Sequence, residues 1–397
     1  IFEERGATPH FILNPSSFLG DSFQTYTLAR NYRCPRNIVE MSQSLIKHNA
    51  NRVDKTVSAV LKENAEVSVR CVRGISDAMN EVQKLVSDAA GSGGRTALIS
   101  RKRSQIIPYQ VFFASESMPF CAAEDLQVFL SETFERLLEI LAIKSKYSLR
   151  QTVTQAVGET VNALSMVLRF PLRPPDALGI KAFLSESGPN RICDALTALE
   201  SYDGTIGRHS AKTLLLPAIE GAMKFFEAER VDAALHAISS DFSGMKQDYG
   251  KAEEDIFFLD PPFAQLVEFA GRYDCDFDRF IDDIDKAKRL LVRVPPDDDD
   301  FLETSSLHAR PIHLMTAPRA KGKEFDNIVL LDVNEGMWPI VHADTPEKIE
   351  AERRLFYVAM TRAKKKLVVL VNAQLICRNL GQATFVPSRF IAEAGLA

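Results

Sequence analysis

The spacing of apolar residues changes period twice along the chain. Up to about residue 120, short runs spaced as strands alternate with runs spaced as helices. Phe23–Leu28 alternates weakly and predicts a strand. Ile38, Met41, Leu45 and Ile46 mark an amphipathic helix with Pro35 just ahead of it. Glu66–Val72 (EVSVRCV) alternates with period two, as a half-buried strand does. A helix through Ala78, Val82 and Val86 follows and stops before the flexible turn Gly91–Gly94. Thr96–Ser100 is a short apolar strand that runs into Arg101, Lys102 and Arg103. This β-α-β rhythm predicts a parallel sheet.

From about 124 to 295 strand signals nearly vanish. Leu126, Phe129, Leu130, Phe134, Leu137, Leu138 and Leu141 recur at helical spacing. Turn residues punctuate this region at Pro171–Pro175, Gly204–Gly207 and Pro261–Pro262. It ends in Pro295–Asp300, an acidic run that reads as a solvated linker. The β/α rhythm then returns. Ile312–Thr316 and Asn327–Asp332 (NIVLLD) predict strands, and Leu367–Val371 is a continuous apolar run of the kind buried in parallel sheets. The expectation is an α/β domain made of residues 1–123 and 300–397, interrupted by an all-helical domain at 124–299.

The stretch Glu350–Val371 begins as a helix and ends as a strand. Ala351, Leu355, Val358 and Ala359 share one helical face, and Arg354, Tyr357 and Thr361 another. Arg362 sits where the helix gives way. It reads either as a cation at a helix C-terminus, with Lys364, Lys365 and Lys366 as solvated companions, or as an arginine at the carboxyl edge of an α/β sheet, positioned for a phosphoryl group.

Bulk properties narrow the class without deciding it. The chain has 397 residues, 46% hydrophobic and 25% charged, with net charge −5. That balance argues against a protein dominated by a basic surface, yet allows a local basic channel. The six cysteines are scattered with no C-x-x-C pair, so neither a zinc site nor a disulfide framework is suggested and a reducing, cytoplasmic interior fits. No apolar run reaches the roughly 18–20 residues of a membrane span. The first residue is Ile inside what reads as a motif, so the expectation is a fragment of a longer protein.

Two further stretches carry chemistry. Leu314–Asp326 (LMTAPRAKGKEFD) is a strand, a glycine-containing loop and another strand. Ala320, Lys321 and Gly322 can bring backbone N–H groups and an ammonium to an anion, and Glu324 can accept from a ribose hydroxyl. The same residues also suit a plain loop with a capping glycine. Asn31, Tyr32 and Arg33 pair a stacking ring with a phosphate ligand, or a core tyrosine with a surface arginine.

In order and wording these stretches resemble the C-terminal half of a superfamily 1 DNA helicase of the UvrD/Rep/PcrA type. Ile1–Ala7 (IFEERGA) looks like the tail of motif III and Leu28–Arg33 (LARNYR) like motif IV. Ala97–Arg101 (ALISR) looks like motif IVa and Leu314–Asp326 like motif V, followed by the "EG-x-x-P" segment in Asn334–Pro339 (NEGMWP). Glu352–Ala363 (ERRLFYVAMTRA) looks like motif VI, and Pro387–Phe390 (PSRF) like the segment that closes the second motor domain.

The resemblance implies a RecA-like parallel-sheet domain, the second motor domain 2A of a P-loop NTPase, with a helical 2B-like insertion. It implies that Tyr32 stacks near adenine and that Glu324, beside Gly322, binds the ribose. Arg33 and Arg362 would contact the γ-phosphate, Arg362 as an arginine finger. Arg5, Arg101, Thr316, Pro318 and Arg319 would face single-stranded DNA. The implied cofactor is ATP with Mg2+. The implied partners are single-stranded DNA, duplex junctions and the N-terminal motor domain of the same protein, with no membrane. The implied activity is ATP-driven movement along DNA in the 3′-to-5′ direction.

Departures stand at Glu4 in place of the motif III aromatic, at Pro318 in place of the motif V histidine, and at Lys323 in place of a leucine. No G-x-x-x-x-G-K-[ST] occurs in the sequence, and no strand ends in Asp-Glu, so the P-loop and magnesium site of domain 1A are not encoded here. The chain by itself is therefore expected not to hydrolyse ATP. Two other readings are a helicase–nuclease subunit of the RecB or AddA kind, and a helicase-like module with a dead motor that binds DNA or a partner.

Overall fold

A computed structural model describes residues 10–20, 24, 26–91, 94–122, 126, 128–130, 132–168, 172–207, 209–241, 262–292, 312–374 and 386–396. Glu4, Arg5 and the acidic run at 297–300 lie outside the described residues. The chain divides into two compact units, one made of 1–126 with 290–397 and one of 127–289.

In chain order the strands are β1 (Arg30–Asn31), β2 (Ser58–Ala59), β3 (Glu66–Val72), β4 (Thr96–Ser100), β5 (Phe120–Ala122), β6 (Thr205–Ile206), β7 (His209–Ser210), β8 (Ile312–Thr316), β9 (Phe325–Leu330) and β10 (Ala363–Asn372). The first unit is built on a six-stranded sheet of order β3-β10-β9-β4-β8-β5. Every pairing in it is parallel. Strands from before and after the helical region interleave across it, so neither sequence segment forms this sheet without the other. The α/β class with a parallel sheet, as in RecA-like domains, is thus realised together with a helical insertion.

The central strands are buried on both faces, which is why they read as unbroken apolar runs. Ala97, Ile99, Ile328, Leu330, Leu367, Val369 and Val371 point into one core cluster. That cluster also holds Ile38 and Leu45 of the Arg36–Ile46 helix, Leu355, Phe356 and Ala359 of the Pro346–Met360 helix, and Phe390. The alternate residues Leu98, Val368 and Leu370 are equally buried but outside it, as a period of two requires. The Ile75–Gly91 helix packs against β3 and β10.

Three local expectations are corrected. Gln24 and Tyr26–Leu28 lie in no element; the extended segment begins at β1, which pairs with β2. The edge strand β5 was not expected, because three residues are too few to show a period. The helix expected from Glu350 begins at Pro346, since Thr345 caps it by accepting from the Lys348 N–H at 3.4 Å and proline suits the first turn.

Among its described residues the second unit is helical, apart from the two-residue antiparallel pair β6–β7. The pattern from Leu126 to Leu141 divides into a 3-10 turn at Val128–Leu130 and a helix at Glu132–Lys144, with Phe129 and Phe134 in edge-to-face contact at 4.7 Å. Lys144 ends that helix. Its ammonium donates to the carbonyls of Phe225 (2.9 Å) and Phe226 (2.7 Å) and lies 4.9 Å from the Phe277 ring centroid.

Burial pulls the Lys144 pKa from 10.5 down to about 8. Between these values the unfolded chain holds more protons than the folded one, so stability rises with pH. Wild type should therefore gain urea resistance relative to Lys144→Met as pH goes from about 8 to 10.5. Parallel midpoints across that window, followed by circular dichroism, would show that the amine already titrates normally.

Candidate nucleotide and nucleic-acid site

The Pro346–Met360 helix runs across one face of the sheet and ends at Thr361. The Thr361 hydroxyl donates to the carbonyls of Tyr357 (2.9 Å) and Val358 (3.0 Å), closing the last turn. Arg362 follows directly, one residue before β10. Because β10 starts there, Arg362 lies at the amino edge of the parallel sheet. The expected carboxyl-edge placement is corrected. The general preference of ligands for carboxyl edges applies to loops that leave strands, and Arg362 sits on a connection entering one.

Arg362 is buried. Its Nε donates to the Val358 carbonyl (2.9 Å), Nη1 to the Lys323 carbonyl (3.0 Å) and Nη2 to the Thr361 hydroxyl (3.1 Å). These contacts merge the two readings of this residue. The guanidinium does satisfy a helix-end carbonyl, that of Val358, and its bond to Lys323 ties it to the loop before β9. A guanidinium has five N–H donors, so three such bonds leave it capacity for an anion. Burial, and then the like charge of Arg33, pull its pKa below the ordinary arginine value.

The preceding loop supplies the other members. The turn at Ala317–Ala320 carries the chain away from the carboxyl edge, and Lys321–Glu324 deliver it to the start of β9 at the amino edge. Gly322 has φ +86°, a conformation that strains side chains other than glycine, although a Cβ there would meet nothing within 4 Å. Glu324 then faces Arg33, which donates from Nε at 3.1 Å. Lys364 pairs with the other Glu324 oxygen. Lys364, and Arg33 after it, hold the Glu324 carboxyl below its ordinary range against the push of burial.

The third contributor is the turn ahead of the Arg36–Ile46 helix. The Asn31 side-chain oxygen accepts from the backbone N–H groups of Arg33 and Cys34, both at 2.9 Å. This fixes the turn that presents Tyr32, 68% exposed, and Arg33. The Cys34 thiol donates to the Thr361 carbonyl at 3.4 Å and joins this turn to the end of the Arg362 helix. Two cations, Arg33 and Lys364, thus pair with one carboxylate, Glu324, and Arg362 lies close enough to feel the charges of both Arg33 and Glu324. Like charges held this close favour an anionic ligand, and separated guanidiniums suit several oxygens of a polyphosphate.

Lys364, Lys365 and Lys366 are not merely solvated. They pair in turn with Glu324, with Asp326 at 2.9 Å and with Glu66 at 2.9 Å, each at the start of a neighbouring strand. Among the described residues no group of three or more His, Cys, Asp or Glu side chains could hold a metal ion.

The described residues implied to face DNA lie elsewhere on the same unit. Thr316 ends β8 and is buried, Pro318 is half-buried, and Arg319 is exposed. Arg101 follows β4 at the same carboxyl edge, since Ser100 pairs with Thr316. Its guanidinium forms a bidentate pair with Glu352, at 2.8 Å from Nε and 2.7 Å from Nη2. Motif V therefore spans the sheet, with Thr316, Pro318 and Arg319 toward one edge and Gly322 and Glu324 at the other.

Glu352 and its neighbours Glu350 and Arg353 received no role from sequence. All three are buried. Charge alone does not set them apart, because Glu347, Lys348 and Arg354 share the helix; only their burial requires that they be paired.

Residues 298–374 match the model of the UvrD-like helicase C-terminal domain. The chain is 24% identical to DNA helicase II of Haemophilus influenzae over 99% of its own length and 52% of that protein. It is 24% identical to the ATP-dependent DNA helicase PcrA of Leuconostoc citreum, again over 99% of the chain and 52% of the relative. To the ATP-dependent DNA helicase UvrD1 of Mycobacterium bovis it is 26% identical with the same coverages. The chain spans about half the length of these curated relatives. Residues 298–374 are thus similar to a UvrD-like helicase C-terminal domain, and along nearly its whole length the chain is similar to the C-terminal half of superfamily 1 DNA helicases of the UvrD/Rep/PcrA type.

Proposed function

We propose that this chain is the second motor half of an ATP-dependent DNA helicase or translocase that moves 3′ to 5′ on single-stranded DNA. Its α/β unit acts as domain 2A and its helical unit as domain 2B. The observation that carries this reading is the meeting of Arg33, Glu324 and Arg362, from three distant parts of the sequence, at one sheet edge. Arg362 and Arg33 contact the γ-phosphate of ATP, Glu324 with Gly322 holds the ribose, and Tyr32 stacks on the adenine. The exposed ring of Tyr32 and the spare donors of Arg362 fit such a ligand. An N-terminal motor domain supplies the P-loop and the Mg2+ ligands.

Neither arginine touches phosphate until the two motor domains close on ATP. Hydrolysis is thereby coupled to opening and closing. At the other edge, Thr316, Pro318 and Arg319 face single-stranded DNA and the duplex junction, and Arg5 is a further DNA ligand. Contacts to backbone phosphate and base faces make that grip tolerant of sequence. With Pro318 at the motif V histidine position, this edge offers a ring without a hydrogen-bond donor.

Two paired measurements test the proposal. The full-length protein should hydrolyse ATP when single-stranded DNA is added, whereas this chain alone should not, because its sequence contains no P-loop. The full-length motor should also displace streptavidin from 5′-biotinylated but not 3′-biotinylated oligonucleotides. DNA-stimulated hydrolysis by this chain alone would overturn the shared-site reading, and displacement from the 3′ end would overturn the polarity.

A further inference from the structure

The Arg101–Glu352 pair stands where a DNA contact is implied, yet its geometry is that of an internal brace. The Arg101 side chain is 14% exposed and that of Glu352 6%. Both carboxylate oxygens and two guanidinium nitrogens are engaged with each other. The loop around the arginine is equally ordered by its own contacts. The Gln105 side-chain oxygen accepts from the backbone N–H groups of Arg101 (3.2 Å) and Lys102 (2.8 Å), and its amide donates to Asp332 at 2.9 Å. To reach a phosphate, Arg101 would have to leave a buried carboxylate without its partner.

Glu352 is one of three buried charges near the middle of the Pro346–Met360 helix. Glu350 accepts from the backbone N–H of Ala50 at 2.6 Å, and Arg353 grips Glu393 at 2.7 and 2.9 Å and Asn49 at 2.6 Å. The helix is thus clamped by the Asn49–Asn51 turn, by Glu393 and by Arg101. At 1.5 Å per residue, Glu352 lies ~15 Å along it from Arg362. A helix is stiff over that length, so the clamp sets where Arg362 stands.

We propose that Arg101 is a positioning residue for Arg362 and not a nucleic-acid ligand. It anchors the helix to the carboxyl edge so that the guanidinium at the amino edge is held in place for phosphate. This rests on the motor reading of the Arg362 site.

The test uses Arg101→Gln, Glu352→Gln and the double variant in the full-length protein. Each single change should lower kcat of DNA-stimulated hydrolysis about 10- to 100-fold, as misplacement by an ångström does. KM for ATP, affinity for oligo-dT and its salt dependence should stay within about twofold of wild type, since no ligand contact is removed. Glu352→Gln is informative because a carboxylate is not a phosphate ligand, so its effect has to pass through Arg101. The double variant restores a neutral hydrogen-bonded pair in place of a lone buried charge, and should recover kcat over either single change.

The opposite pattern would overturn the proposal. In that case Arg101→Gln and the double variant weaken oligo-dT binding alike, the salt slope shrinks by about 0.7, and kcat at saturating DNA is retained. Wild-type hydrolysis is the control that separates the two ideas. If wild type hydrolyses ATP and Arg101→Gln keeps its kcat, only the positioning role fails. If wild type is inert toward ATP, the motor reading fails before it.

Discussion

Arg362→Ala in the full-length protein should lower kcat for DNA-stimulated ATP hydrolysis by about 10³-fold or more while ATP still binds. The size follows from what the guanidinium does in the proposed closed state. It reaches charge that develops only during phosphoryl transfer, so its loss appears in kcat more than in KM. Arg362→Lys should recover little of this, because an ammonium cannot keep the Val358, Lys323 and Thr361 contacts while also meeting phosphate. Arg33→Ala should behave like Arg362→Ala. A fluorescent ATP analogue separates binding from turnover, and circular dichroism confirms that the variants are folded. A fall in kcat of less than about tenfold would remove Arg362 from the phosphoryl-transfer step.

Trp338→Ala should destabilise the α/β unit by about 3–5 kcal/mol, the usual range for truncating a large buried aromatic. Trp338 is the single tryptophan of the chain and is fully buried. Its ring meets Phe356 edge-to-face at 5.3 Å, and Phe356 in turn meets Phe390 at 5.5 Å. The indole N–H donates to the Leu331 carbonyl just past β9, at 3.1 Å. The "EG-x-x-P" segment is therefore a wedge between the sheet and the helix that carries Arg362. Trp338→Phe keeps most of the volume but leaves the Leu331 carbonyl unpaired, so it should cost about 1–3 kcal/mol. Urea unfolding followed by far-ultraviolet circular dichroism measures both. A loss below about 1 kcal/mol for Trp338→Ala would mean that the core closes over the gap.

Much of the architecture was legible in the chain. β3, β4 and β8 lie where period and apolar runs put them, because strands buried in a parallel sheet carry the strongest such signal. The helix ahead of Arg362 was legible too, but its start was displaced by a cap that does not alter apolar spacing. The short β1, β2 and β5 exist only because a neighbouring strand pairs with them. The weak alternation at Phe23–Leu28 found no such partner among its described residues.

The sequence alone determined the residue types that can bind phosphate, their order, and the switch from a β/α rhythm to helices and back. These are local properties, carried by period, turn chemistry and motif wording. Only the tertiary structure decided which ends of the strands those residues occupy. It brought Arg33, Glu324 and Arg362 to the amino edge, placed Thr316 and Arg101 at the other, and turned Arg101 inward onto Glu352. The physical reason is pairing at a distance. Contacts between residues hundreds of positions apart depend on the interleaving of β3, β4 and β5 with β8, β9 and β10 in one sheet. No local pattern encodes that order, and burial then forces each charge to find the partner that the order supplies.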